Sequence, residues 1–150
     1  MRKIVLIVLV LILTIACKEN NRMSSSENKT EIKFKDLNFI KSKSQREIEK
    51  YLIKCNYNLL DNQFSNQWKS KENQDIVQFN DKGVLVFLTY NHQTFDKLMI
   101  DLKKSTYKYF GKKTKNNLEV ETYIKNKETI FISTMINPDD GKKVYSLTFI

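Results

Sequence analysis

The chain has few of the residue types from which catalytic and metal sites are most often built. Among its 150 residues there are three glycines, one proline, two cysteines and a single histidine, His92. Three glycines leave no glycine-rich loop of the kind that cradles phosphate. One histidine with so few cysteines does not supply the ligand set of a zinc site. We therefore expect no metal and no cofactor.

A nucleophile paired with a base is equally hard to find. His92 falls in a predicted loop before a helix, where a lone histidine is most often solvated or caps the helix. Cys55 falls on a predicted apolar helix face, and a Cys55–His92 pair would require that face to open to solvent. The sequence therefore predicts no catalytic residue and no enzyme.

Basic residues outnumber acidic ones by 26 to 17, which gives a formal net charge of +9. Only Arg2, Arg22 and Arg46 are arginines, and the other basic residues are lysines. Specific phosphate recognition usually recruits arginine, because its planar fork binds bidentately. We therefore expect no specific nucleic-acid site. Electrostatic binding of anionic lipid or lipopolysaccharide through a lysine-rich surface is the alternative function.

The longest apolar run lies at the N-terminus. Arg2 and Lys3 precede thirteen residues (4–16) that are all apolar except Thr14. A helix that crosses a membrane needs about 20 apolar residues, so this run is too short to span. A basic start followed by a short apolar run is typical of a secretory signal peptide, which we place at residues 1–16.

The run closes with Leu13-Thr14-Ile15-Ala16-Cys17, which resembles the lipobox of bacterial lipoprotein precursors, with Thr14 where that family prefers leucine. The resemblance implies cleavage before Cys17 and acylation of Cys17. The chain would then be lipid-anchored in the bacterial cell envelope, in the outer membrane, facing either the periplasm or the cell surface. With Cys17 acylated, the two cysteines of the sequence cannot form an intramolecular disulfide. A buried thiol is expected at Cys55, and pairing with another chain is the alternative.

Residues 17–35 are predicted to form a flexible tether. They contain Ser24-Ser25-Ser26 and many Asn, Lys and Glu residues, with too few apolar side chains to form a core. Order is expected to begin near Phe34 with a short strand or anchoring segment. The folded domain is placed at residues 36–150.

The pattern of the domain predicts an α+β fold built from a tandem repeat, with repeat one at about 44–91 and repeat two at about 94–150. Each repeat is a helix followed by three antiparallel strands, with both helices packed on one sheet face. Ser44 and Glu47 have capping-box spacing at the first helix, and Gly111 is expected to end the second. The helical stripes are Ile48, Tyr51, Leu52, Cys55 and Phe95, Leu98, Met99, Leu102, and the predicted strands are 64–71, 75–79, 84–90, 118–124, 129–136 and 144–150.

Aromatic residues beside lysines are the main signal of a binding surface. Trp68, Tyr107 and Tyr109 are predicted to lie on the open sheet face, or else to cover one face of a small sheet.

In architecture alone, two such repeats resemble those of secreted inhibitors such as beta-lactamase inhibitor protein. We expect a non-enzymatic module that binds an unidentified protein, with an inhibitory or immunity role as one version. The other expected partner is the membrane, through the N-terminal lipid, and no small-molecule substrate is indicated.

Overall fold

The computed structural model describes residues 31–60, 66–80, 82–115 and 118–150. In these ranges the eight strands form one antiparallel sheet in the order β1-β2-β3-β4-β8-β7-β6-β5. The predicted α+β class is therefore confirmed, with more strands than the six expected. The elements are α1 (Phe34–Ile40), α2 (Gln45–Lys54), β1 (Tyr57–Leu59), β2 (Asn66–Ser70), β3 (Ile76–Phe79), β4 (Leu85–Thr89), α3 (His92–Lys104), β5 (Lys108–Lys115), β6 (Leu118–Lys125), β7 (Glu128–Ile136) and β8 (Lys143–Phe149).

The two longer helices, α2 and α3, each begin after a capping residue, Ser44 and Asn91. At α2 the Glu47 carboxylate accepts from the Ser44 backbone N–H at 3.1 Å, which confirms the predicted capping box. At α3 the Asn91 side chain accepts from the N–H groups of Gln93 and Thr94 at 2.9 and 3.3 Å. Because Asn91 is the cap, α3 starts two residues before the predicted position at about Thr94.

The segment before α2 is a helix, so of the two alternatives predicted there, a short strand or an anchoring segment, the strand is wrong. Phe34, Leu37 and Ile40 are buried along α1, three residues apart, which is a helical spacing. Ile32, just before α1, is only 1% exposed. The fold thus includes residues 31–35, which the sequence pattern assigns to the tether.

Two strands have no counterpart in the prediction. β1 has three residues, and β5 carries lysines instead of an alternating apolar pattern. The prediction that α3 ends at Gly111 is also wrong. The helix ends at Lys104, and Gly111 lies inside β5. Gly111 takes a φ of +156°, where a side chain would be strained, and it follows an irregularity in the β5–β6 register.

The core is one buried cluster to which all three helices and one side of every strand except β5 contribute. Alternation is clearest in β4, where Leu85, Phe87 and Thr89 are buried and the residues between them are partly exposed. Cys55 also lies in the cluster at 2% exposure, which confirms the predicted buried thiol. The strand residues of the cluster are Tyr57, Trp68, Val77, Phe79, Leu85, Phe87, Tyr123, Ile130, Ile132, Leu147 and Phe149.

Candidate functional site

The three aromatic residues expected at a binding surface lie in different environments. Trp68 and Tyr107 are each only 6% exposed, whereas Tyr109 is 57% exposed. Of the two alternatives predicted for Trp68 and Tyr107, an open sheet face is therefore wrong, and both side chains belong to the core. Trp68 stands opposite Leu59 and Val77 across its two neighbouring strands, and its side chain belongs to the core. Of the three, Tyr109 alone presents its ring to solvent.

Tyr107 connects α1 to the end of the sheet, just before β5. Its hydroxyl donates to the Glu128 carboxylate, and the Lys41 ammonium lies 2.8 Å from that hydroxyl and 2.7 Å from Glu128 Oε2. Burial, together with the hydrogen bond to Glu128, raises the pKa of Tyr107. The hydrogen bond from Lys41 lowers the pKa of Glu128, with help from Tyr107. The arrangement keeps the tyrosine protonated and the carboxylate charged, so its role is to hold α1 on the sheet.

Beyond Tyr107, an exposed aromatic and basic surface follows the edge of the sheet. We name it the β5 patch and define it as Lys108, Tyr109, Phe110, Lys112 and Lys113, all of which are exposed. Phe110 is 76% exposed, the highest value for a large apolar side chain in the part of the chain that the structure describes. Packing in the core does not explain a phenylalanine ring at this position. Aromatic residues are enriched at protein interfaces, where they often act as anchors.

A β-bulge explains why Phe110 is so exposed. Pairing with β6 passes from Tyr109↔Tyr123 directly to Gly111↔Thr122, so Phe110 is an extra residue in β5. A bulge of this kind leaves one residue outside the ladder, bends the strand and redirects a side chain. Tyr109, by contrast, packs edge-on against the Tyr123 ring at 5.5 Å between centroids. In the β5 patch, the Tyr109 ring is therefore held against Tyr123, whereas the Phe110 ring extends into solvent.

A shallow groove of about 580 Å³ runs beside the patch. Its size is within the range of ligand pockets, but it is open and lined by rings and lysine stems instead of convergent polar groups. This shape suits a side chain of a protein partner better than an enclosed small molecule. The lining residues are Thr106, Lys108, Tyr109, Phe110, Ile124, Lys125 and Asn126.

His92, the only histidine, is the first residue of α3. Its Nδ1 lies 2.8 Å from Asp96 Oδ2, and its ring meets the Tyr145 ring edge-on at 5.5 Å. It lines a polar cleft of about 310 Å³, where Glu119 is paired with Lys112 at 2.7 Å. Cys55, the other residue considered for catalysis, is buried in the core. Across the described ranges no group of three or more His, Cys, Asp or Glu side chains is arranged to hold a metal ion.

Asp75 is a buried carboxylate that no sequence pattern predicts. This residue, directly before β3, is 0% exposed, and its backbone carbonyl accepts from the Ser70 N–H at 2.8 Å. Among the residues that the structure describes, neither carboxylate oxygen finds a hydrogen-bond partner within ordinary limits, and the same is true of the Tyr57 hydroxyl and the Trp68 indole N–H. Burial raises the pKa of Asp75 to about 6, although Thr89 and Asn73 lie close enough to favour the charged form.

Comparison of the chain with protein-family models, with curated proteins and with solved structures finds no match. In the part of the chain with a described structure, none of the helices combines the length and apolar character that crossing a membrane requires. The predicted signal peptide and Cys17 lie outside the described residues. The fold of the described residues defines the class of the chain as α+β with one antiparallel sheet.

Proposed function

We propose that the protein is an exported, lipid-anchored protein of the bacterial envelope whose α+β domain binds another protein. Anchoring is supported by the N-terminal sequence, in which a short apolar run ends in the lipobox-like Leu13-Thr14-Ile15-Ala16-Cys17. Binding is supported by one structural observation, the β5 patch. An inhibitory or immunity role is one version of this function.

The composition of the β5 patch indicates a binding surface, and not only protection of the sheet edge against unwanted strand pairing. Proteins often place lysines on edge strands to prevent unwanted pairing, and Lys108, Lys112 and Lys113 fit that use. Protection of this kind does not require exposed rings, because an aromatic side chain at an edge promotes association. The exposure of Tyr109 and Phe110, at 57% and 76%, therefore points to a partner that covers them.

We also propose that the domain consists of two related units, each a helix followed by four strands. The units are α2 with β1–β4 and α3 with β5–β8. The sheet order supports this division, because β4 and β8 meet at the centre while β1 and β5 form the two edges. Side chains of α2 and α3 join the same core cluster, which supports the packing of both helices on one sheet face. The opposite face would then carry the partly exposed Val86, Leu88 and Phe131.

Capture from envelope extract tests the binding function. The full-length protein, purified in detergent and immobilised, is mixed with solubilised envelope proteins, and retained proteins are identified by mass spectrometry. The test variant is the double substitution Tyr109→Ser with Phe110→Ser. The matched control is Leu59→Ser with Ile53→Ser, which removes two exposed apolar side chains at other sites, 55% and 62% exposed.

A specific partner should be retained by the wild type and by the control, and lost from the test variant. The loss follows because truncating an anchor ring at an interface costs about 2 kcal/mol or more, or about thirtyfold in affinity. Retention by all three proteins alike, or by none, would contradict a binding function at the β5 patch.

Binding to anionic lipid is the second candidate, and the lysines of the β5 patch are the observation that favours it. Each lysine near an anionic surface contributes about 1 kcal/mol, and the effect fades within a Debye length. Co-sedimentation with phosphatidylglycerol vesicles, lost on raising the salt and absent with phosphatidylcholine vesicles, would support this candidate. Salt-independent or absent sedimentation would remove it.

A further inference from the structure

We infer that the outer edge of β5 accepts an extended, acidic segment of the partner protein as an additional antiparallel strand of the sheet, in which every described pair is antiparallel. The inference rests on the proposed binding function and assigns a chemistry to the partner. In the part of the chain that the structure describes, β5 pairs with β6 alone and no strand covers its other side.

The backbone of β5 provides the hydrogen bonds for such an addition. In a β-ladder, alternate residues direct their N–H and C=O groups toward opposite neighbours, so an edge strand leaves about half of its groups for a new strand. β5 has eight residues and β1, at the other edge, has three. Strand addition draws its affinity from these main-chain bonds, so β5 is the edge long enough to hold a peptide.

The charge of the patch selects an acidic partner. Lys112 is paired with Glu119 at 2.7 Å, whereas no described carboxylate lies within ion-pair distance of Lys108 or Lys113. Opposite charges facing one another across neighbouring strands stabilise the pairing, and like charges destabilise it. Acidic residues at alternate positions of the partner would therefore pair with these lysines.

The same argument disfavours a second copy of this chain as the occupant. Two β5 strands side by side would bring the lysines of one copy against the lysines of the other. A lipid surface is also a poorer match, because headgroups do not form the regular main-chain bonds that an eight-residue edge offers. The Phe110 ring, redirected by the bulge, would meet an apolar side chain of the partner in the groove of about 580 Å³.

The test uses a synthetic probe and the full-length protein in detergent. The probe is a fluorescein-labelled, terminally blocked peptide of four Glu-Val repeats, and binding is followed by fluorescence anisotropy. We expect binding that weakens with salt, and that weakens about fivefold in each of Phe110→Ser and Lys113→Glu. The matched controls Ile53→Ser and Lys54→Glu change an exposed apolar and an exposed basic residue at the end of α2, and affinity should stay within about twofold.

Backbone methylation of the probe separates strand addition from contacts made by side chains alone. Two further peptides carry N-methyl groups at either the odd or the even positions, which removes the donors on one edge. A strand paired with β5 uses one edge, so one methylated peptide should lose binding and the other should keep it. Hydrogen exchange at the backbone amides of residues 108–115 should slow when the unmethylated probe binds.

Several results would overturn the inference. Equal binding of both methylated peptides, equal loss of both, or unchanged exchange in β5 would exclude a paired strand. Binding of phosphatidylglycerol vesicles but not of the peptide would assign the patch to lipid. A dimer that Phe110→Ser abolishes would assign it to a second copy. If the probe fails while capture from envelope extract still depends on Tyr109 and Phe110, strand addition is wrong and the proposed binding function stands.

Discussion

At the scale of single residues, the aromatic side chains divide into core and surface by the direction in which each leaves its strand. Trp68 points to the side of β2 that faces the core, where it is 6% exposed. Phe110 is the extra residue of a bulge and is 76% exposed. Both residues lie beside lysines in the sequence. Their different exposure follows from strand pairing, which places Trp68 on the core side of β2 and Phe110 in a bulge of β5.

Substituting Trp68 and Tyr109, two of the three residues predicted for binding, should affect the free energy of unfolding to very different extents. Trp68→Ala removes a buried ring and should lower the free energy of unfolding by about 3–5 kcal/mol. Tyr109→Ala removes a ring that is 57% exposed and should change it by less than about 1 kcal/mol. Urea denaturation followed by circular dichroism measures both values. Similar costs for the two substitutions would contradict their placement.

Asp75 should make stability depend on pH. Its pKa in the folded protein is raised from 3.8 to about 6, so between these values the folded state keeps a proton that the unfolded state has lost. The free energy of unfolding should therefore fall as pH rises through this interval, by at most about 3 kcal/mol from this group, and the loss is complete above pH 6.

Asp75→Asn removes the charge and keeps the shape of the side chain. The variant should be more stable than the wild type at pH 7.5 and nearly equal to it at pH 4, as measured by urea denaturation at each pH. Asp101→Asn, on an exposed face of α3, is the control and should leave the pH dependence unchanged. A wild-type profile that Asp75→Asn does not flatten would show that this carboxylate is not buried as described.

At the scale of helices and strands, α2 depends on its first turn. The Glu47 carboxylate accepts from both the backbone N–H and the hydroxyl of Ser44, at 3.1 and 2.7 Å. Ser44→Ala should lower the free energy of unfolding by about 1 kcal/mol, because a cap is lost at a ten-residue helix. Ser42→Ala, which loses an exposed hydroxyl before the helix, should cost clearly less in the same denaturation measurement. Equal costs would argue against the capping box.

The sequence predicted those elements whose pattern is local. Capping residues and apolar stripes located α2 and α3, alternation located β6 and β7, and runs rich in β-branched and aromatic residues between turns located β2, β3, β4 and β8. β5 was missed because its lysines carry no alternation and its strand conformation depends on pairing with β6. The helical conformation of α1 is not predicted, because its seven residues hold too few turns to show helical periodicity.

The candidate site was predicted only in part, for a related reason. Sequence located Tyr109 beside lysines, but periodicity alone does not say which face of a strand will be covered. Trp68 has polar neighbours in β2, and its burial follows from pairing with Val77 on β3. The bulge that exposes Phe110 is set by the pairing of β5 with β6, which no local pattern reveals.

At the scale of the whole molecule, the proposed function joins a lipid at one end of the chain to a binding edge of the sheet. The described fold starts by Ile32, which is 1% exposed, so fewer residues separate Cys17 from the domain than the pattern up to residue 35 implies. An anchored protein with a short connection acts close to the membrane, where partners in the same envelope are at high effective concentration.

The mass of the N-terminal peptide of the native protein, isolated from the membrane fraction of its own cells, tests anchoring most directly. The account predicts a mature chain that begins at Cys17 and carries the added mass of fatty acyl groups, and predicts that Cys17→Ala abolishes both the acylation and the cleavage before residue 17. Native protein in the soluble fraction with residues 1–16 still attached, or with an unmodified Cys17, would contradict it.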